Sequence, residues 1–232
     1  MKPKILFILK RRLDYDAQKH TTKSLSTGLF NSVNFMNDML VAAGIDSQLE
    51  VATDNNCIDR FVKQHNPTHV IIEALWVVPT KFDILTKLHP HVKWIIRLHS
   101  EMPFIASEGI AMDWIADYVS FPQISIGVNA PRMLREVRAY LRVKQGWDKT
   151  TTNKRVFYQP NYYPTNFKRK KFKNVPGYID ISCFGAVRPL KNHLLQAVAA
   201  LMFAERKGLK LRFHINTGRL EMKGDPVLNN LR

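Results

Sequence analysis

Gly185, Arg188 and Lys191 are the residues whose types and spacing point most directly to chemistry. Residues from Ile179 to Phe184 alternate as a buried strand does, Gly185 ends it, and the two cations stand at the mouth of the next helix. A glycine turn lets a ligand approach the backbone, and a helix N-terminus offers unpaired N–H groups with a partial positive charge. Arginine can grip two oxygens with its planar fork while lysine acts as a point charge, so the pair suits a phosphate or diphosphate. A solvated basic loop between strand and helix is the plain alternative, and this segment alone leaves both open.

Such a loop needs a scaffold, and the rest of the chain supplies the pattern of one. Strand-like runs fall at Lys4–Lys10, Asp46–Thr53, His69–Leu75, Val92–His99, Ile124–Asn129 and Val156–Gln159. Helical patterns lie between them at Leu29–Ala43, Ile58–His65, Thr80–Leu88, Ile110–Tyr118 and Arg132–Val143. In the first helix Leu29, Val33, Met36, Met39, Leu40 and Ala43 share a face, and Gly44 closes it. Runs such as Val70-Ile-Ile72 and Trp94-Ile-Ile96 suit strands buried on both faces. Alternating strands and helices predict an α/β fold with an open, Rossmann-like parallel sheet, helices on both sides, and ligands at the carboxyl edge of the strands.

The pattern breaks at 164–177, a basic stretch holding Lys168, Arg169, Lys170, Lys171 and Lys173, and this reads as a linker between residues 1–163 and 178–232. After it comes one more strand, a long amphipathic helix His193–Lys207 closed by Gly208, and a strand Leu209–Ile215. A lone βαβ unit has little apolar face of its own, so the second module is expected to be incomplete, finished by the first domain, by another chain, or by further sequence.

The 232 residues carry a net charge of +16, which calls for an anionic partner: nucleic acid, an anionic membrane surface, or a phosphorylated ligand. The helix from Pro131 sets Arg132, Arg135, Arg138 and Arg142 opposite Met133, Leu134, Val137, Tyr140 and Leu141, a face able to lie on membrane or phosphate backbone, or simply to be solvated. The 168–173 cluster shares that ambiguity, with Phe167 and Phe172 available to stack on bases. No apolar run reaches the roughly 18 residues of a membrane span. Cys57 and Cys183, far apart and without metal-ligand spacing, read as reduced thiols of a cytoplasmic protein, peripheral membrane attachment being left open.

Three segments together resemble the GT-B glycosyltransferases, specifically the group 1 retaining class. Gly185-Ala-Val-Arg-Pro-Leu-Lys-Asn192 is similar to the donor loop of that class, Gln159-Pro-Asn-Tyr-Tyr-Pro-Thr-Asn-Phe167 to the segment joining its two domains, and Arg97-Leu-His-Ser100 to the strand end that often bears an active-site histidine. The resemblance implies a sugar moved from a nucleotide-diphosphate donor, a substrate rather than a cofactor, with no essential metal. It implies that Gly185, Arg188 and Lys191 bind the donor diphosphate, that His99 is catalytic, and that Asn161 is interdomain. The acceptor would be anionic, such as a lipid-linked glycan or modified DNA. The Glu-bearing donor motif of the class has no counterpart, so the expectation is either the N-terminal part of a longer enzyme or a relative that kept the scaffold without the chemistry. The rival class is a non-catalytic basic protein that binds nucleic acid or a protein partner.

Among single residues, His99 can contact the sugar or orient the acceptor hydroxyl, or it is a strand-end histidine bonded to backbone. Glu101 is a nearby carboxylate without a mapped partner. Asp14, Asp16, Arg11, Arg12, Lys19 and Lys23 occupy the first strand-to-helix loop, which faces the cleft in such folds and is otherwise solvated.

Overall fold

A computed structural model describes residues 2–10, 28–166, 175–216, 220 and 224–231. The chain forms two compact units, Met1–Thr165 and Asn166–Arg232. The linker cluster 167–174 and the first loop, 11–27, with their basic and acidic residues, lie outside the described residues.

The first unit is built on six parallel strands: β1 (Lys4–Lys10), β2 (Asp46–Ala52), β3 (His69–Glu73), β4 (Lys93–Leu98), β5 (Ile124–Val128) and β6 (Val156–Tyr158), in the order β2-β1-β3-β4-β5-β6. The expected Rossmann-like α/β architecture is therefore present. The chain steps one way from β1 to β2 and the other way from β3 onward, which puts a topological switch point between β1 and β3.

Alternation sorts the strand residues onto two faces. Leu6, Ile8, Val70, Ile72, Trp94, Ile96, Ile126 and Val128 join the larger core, beneath α2 (Cys57–His65), α3 (Phe82–Leu88), α4 (Met102–Ala106), α5 (Ala111–Tyr118) and α6 (Pro131–Gln145). Phe7 and Ile71 point the other way, into a smaller cluster with Val33 and Met36 of α1 (Gly28–Ala42). Burial of these branched side chains on both faces is the main force holding the parallel sheet.

Helix ends follow local chemistry. Gly44 takes a φ of 75° after α1, and the Ile45 N–H reaches back to the Leu40 carbonyl at 3.0 Å. Pro131 opens α6, where a missing N–H costs nothing, and Gly146, at φ 64°, follows it. Two helices of this unit escape the hydrophobic pattern. The first, α4, is five residues long. The second, α7 (Lys149–Arg155), is polar and threonine-rich. The Asp148 carboxylate caps it by accepting from the Thr151 N–H at 2.7 Å. Arg155 then pins its end by donating to the carbonyls of Val119, Phe121 and Ile124 at 3.0, 2.7 and 2.9 Å.

The second unit pairs β7 (Tyr178–Cys183) with β8 (Lys210–Ile215) in parallel across α8 (His193–Arg206), and its described residues end in α9 (Gly224–Asn229). The helix is less one-sided than its pattern suggests. Its buried stripe is His193, Ala200 and Ala204, while Leu194, Leu195, Val198, Leu201 and Met202 are all exposed. Small residues let the helix sit close on the strands, and that choice turns the larger aliphatic groups outward.

Candidate functional site at the carboxyl edge of the first sheet

Glu73 ends β3 and Arg97 lies opposite it on β4 in direct register. Each closes an apolar run, and neither side chain is exposed at all (0%). An ionised group carried to that depth must be paired and hydrogen-bonded. Arg97 Nη1 lies 3.3 Å from both Glu73 oxygens, and Nη2 donates to Asn161 Oδ1 at 2.7 Å and to the Pro160 carbonyl at 3.2 Å. Ser32, on α1, donates from Oγ to the same Asn161 oxygen at 3.0 Å. One amide thus ties α1 and β4 to the segment that follows β6.

His99, two residues beyond Arg97, completes the cluster. Its Nε2 lies 2.5 Å from Glu73 Oε2, and its side chain is 15% exposed. Among the described residues no hydrogen-bond partner meets Nδ1. The cluster sits at the carboxyl edge, on the strand next to the switch point, where parallel sheets of this type bind ligands.

The backbone around it is committed to this arrangement. Ala74, immediately after Glu73, takes φ 69°, a left-handed conformation that costs a residue with a Cβ, and its N–H bonds the Arg97 carbonyl at 2.9 Å. The loop beyond is anchored by the Tyr118 hydroxyl, which donates to the Val77 carbonyl. Burial pushes that phenol well above its ordinary range. Gly127, in register with Arg97 on β5, lies under the Gln159 side chain, whose Oε1 would stand 2.2 Å from a Cβ there and would have to move aside.

The residues named from the sequence fall into three groups. His99 lies at the carboxyl edge, and Asn161, expected between domains, makes its bonds within the first unit. Glu101 stands just ahead of α4 and is exposed. In the second unit Gly185 has φ 110° and follows β7, and a Cβ built on it would lie 3.9 Å from Lys191 Nζ. Arg188 is extended and half-buried, and a short 3₁₀ turn, Pro189–Lys191, with a left-handed Asn192 stands between it and α8. The arginine face of α6 is broken: Arg138 donates from Nε and Nη2 to the Val156 carbonyl at 3.1 and 2.8 Å, because α6 packs beside β6. Arg132 pairs with Glu136 at 2.7 Å, and Arg135 and Arg142 are exposed. Lys168, Arg169, Lys170 and Lys171 lie outside the described residues.

Glu73 was missed in the sequence, and Arg97 was noticed only as part of a strand-end motif. A signal existed. A charge that closes a strand apolar on both faces has to find a partner, and Val70-Ile-Ile-Glu73 and Trp94-Ile-Ile-Arg97 show this twice with opposite signs.

Fold and site define an α/β protein with a Rossmann-like parallel sheet whose carboxyl edge carries a buried carboxylate–arginine pair and a histidine. No family model, no curated protein and no solved structure matches the chain. Among the described residues no helix is long and apolar enough to cross a membrane, and no group of three or more histidine, cysteine or acidic side chains could hold a metal ion.

Proposed function

We propose that this chain is a GT-B-type glycosyltransferase, or the part of one that carries the acceptor-side domain and the start of the donor domain. The reading is carried by His99, held by the buried Glu73 at the carboxyl edge beside the switch point. A histidine in that position is exposed enough to meet a substrate hydroxyl and fixed enough to act on it. The loop of Gly185, Arg188 and Lys191 supports the second half of the reading, since cations beside a glycine turn stabilise the charge that builds on a departing nucleotide diphosphate. The net charge of +16 favours an anionic acceptor, a lipid-linked glycan or modified DNA.

Thermal unfolding in UDP and GDP tests the donor half. A ligand held at about 100 times its Kd stabilises the folded state by about 2.7 kcal/mol, and the combined change Arg188→Ala and Lys191→Ala should abolish the shift. No shift at millimolar nucleotide removes the donor site. The charge also favours the rival, a non-catalytic nucleic-acid-binding protein. Titration of duplex and single-stranded DNA across salt concentrations separates the two: sequence-selective binding that survives physiological salt replaces the enzyme reading, and weak, steeply salt-dependent binding does not.

A further inference from the structure

We propose that the outward face of α8 is a self-association surface, on which a second copy of this chain packs antiparallel about a two-fold axis at Val198. The inference stands apart from the sugar-transfer reading and rests on the second unit alone.

The side of α8 turned to the strands is mostly small, because His193, Ala200 and Ala204 are its buried stripe. Leu194, Leu195, Val198, Leu201 and Met202 are left 44%, 68%, 48%, 49% and 49% exposed. Single apolar side chains on a surface are ordinary, but these five lie at helical spacings of three and four residues and form one continuous arc. Together they open on the order of 500 Å² of aliphatic surface, the size of patch that marks an interaction site. No Asp, Glu, Lys or Arg falls between Asn192 and Ala204, so neither the arc nor its flanks carry acidic or basic side chains over that span.

The pattern fits another α8. Leu195 and Leu201 stand three residues from Val198 on either side, and Leu194 and Met202 stand four. An antiparallel second copy therefore sets Val198 on Val198, Leu195 beside Leu201 and Leu194 beside Met202. Each unlike contact is made twice, as an isologous interface requires. Charge selects this direction. Glu205, two turns beyond Val198 on the same arc, is exposed, and it comes to the N-terminal end of the second copy's helix. There the unpaired N–H groups and the exposed Lys191 favour a carboxylate. Parallel packing would set the two Glu205 side chains against each other. A membrane surface fits less well, because a helix lying in it would carry lysines and arginines around its apolar arc. Two such patches face to face bury about 1,000 Å², the low end for a specific contact, so the pair is weak, with a Kd on the order of 10–100 µM.

Sedimentation velocity of the full chain from about 1 to 500 µM reads the association, in about 0.3 M NaCl to screen the charge of +16 on each copy. A monomer giving way to a dimer and nothing larger supports the proposal, because a two-fold contact closes. A monomer throughout overturns it, and so does a ladder of growing species. Val198→Lys sets like charges on the axis and should raise Kd at least about tenfold. Val198 is half exposed in the single chain, so circular dichroism at a few micromolar, where the chain is unpaired, should show the variant folded. Ile84→Lys makes the same change on α3, where Ile84 is 54% exposed, and should leave Kd within about twofold. Equal weakening by both variants makes added charge the cause and overturns the proposal. Glu205→Lys should raise Kd about fivefold, and unchanged or tighter pairing overturns the antiparallel arrangement. Flotation with vesicles of phosphatidylcholine and phosphatidylserine tests the other occupant. Vesicle binding that Val198→Lys abolishes, by a chain that stays monomeric in solution, gives the arc to membrane and overturns the proposal.

Discussion

Both units of this protein carry a carboxylate, an arginine and a histidine set out by one rule, and only one of the two sets has the makings of a site. In the first, Glu73 of β3 faces Arg97 of β4 in register and His99 follows two residues later. In the second, Asp180 of β7 faces Arg212 of β8 in register and His214 follows two residues later. Asp180 accepts from Arg212 at 2.6 Å and meets His214 at 2.7 Å, shorter than the Glu73–Arg97 contacts. Yet the side chains of the second set are 41%, 40% and 56% exposed, against 0%, 0% and 15% in the first. Short distance is therefore a poor guide to importance. Water competes for every bond of the exposed set and screens its charges, whereas the Glu73–Arg97 pair is closed to water.

The surroundings account for the difference. Glu73 ends its strand under a sheet face that α1 covers through Val33 and Met36, with Ser32 and Asn161 closing the polar end. Asp180 sits in the middle of β7 on the polar face that Tyr178, Ser182, Lys210 and His214 share, all of them exposed. The opposite face, with Ile179, Ile181 and Cys183, is the apolar one.

Removing one partner from each set should break the symmetry most sharply. Glu73→Ala strands Arg97 without its anion and should cost about 3–5 kcal/mol in urea denaturation. Asp180→Ala should move the midpoint far less at physiological salt, and equal losses would end the comparison. Replacing both partners, Glu73→Leu with Arg97→Met, should recover most of that loss, because an apolar pair of similar volume has no desolvation penalty.

Packing gives the next largest effect. Ala204→Leu forces a large group between α8 and its sheet and should cost ~1–3 kcal/mol. Val198→Gln, on the exposed arc of the same helix, should change stability by less than ~0.5 kcal/mol. Circular dichroism melts of the two variants make the contrast. Gly127→Ala should cost less than the first change, since its methyl meets only the tip of the flexible Gln159 side chain, 2.2 Å away, which can swing aside.

The smallest effect is in acid. The Arg212 bond, and then the His214 bond, hold the Asp180 carboxyl below its ordinary value of 3.8. A carboxyl lowered by folding adds stability that is present above the ordinary value and lost as pH falls through the lower folded one. Asp180→Asn should therefore flatten the acid limb of the stability profile below about pH 4, and added salt should shrink even that difference because the group is open to solvent. A salt-insensitive change would mean that the second unit shields its cluster after all.

The order of elements in the first unit was legible because strands buried on both faces and helices buried on one leave different periods in the sequence. Lys4–Lys10 is a strand over the span read from its residues, and Gly44 and Gly146 mark helix ends in the left-handed region. His99 was singled out through the resemblance carried by Arg97-Leu-His-Ser100, and its place after an apolar run agrees with that. Glu73 and Arg97 were harder, because each is informative only beside the other, and they are 24 residues apart. Parallel pairing brings β3 and β4 together, and only then does a buried charge become a buried pair. The polar helix α7 was invisible because carbonyls 31 to 36 residues away hold its last residue in place. Periodicity and charge along the chain determine which segments are buried. Register across the sheet, which no local pattern encodes, decided which charges meet and so where chemistry can be done.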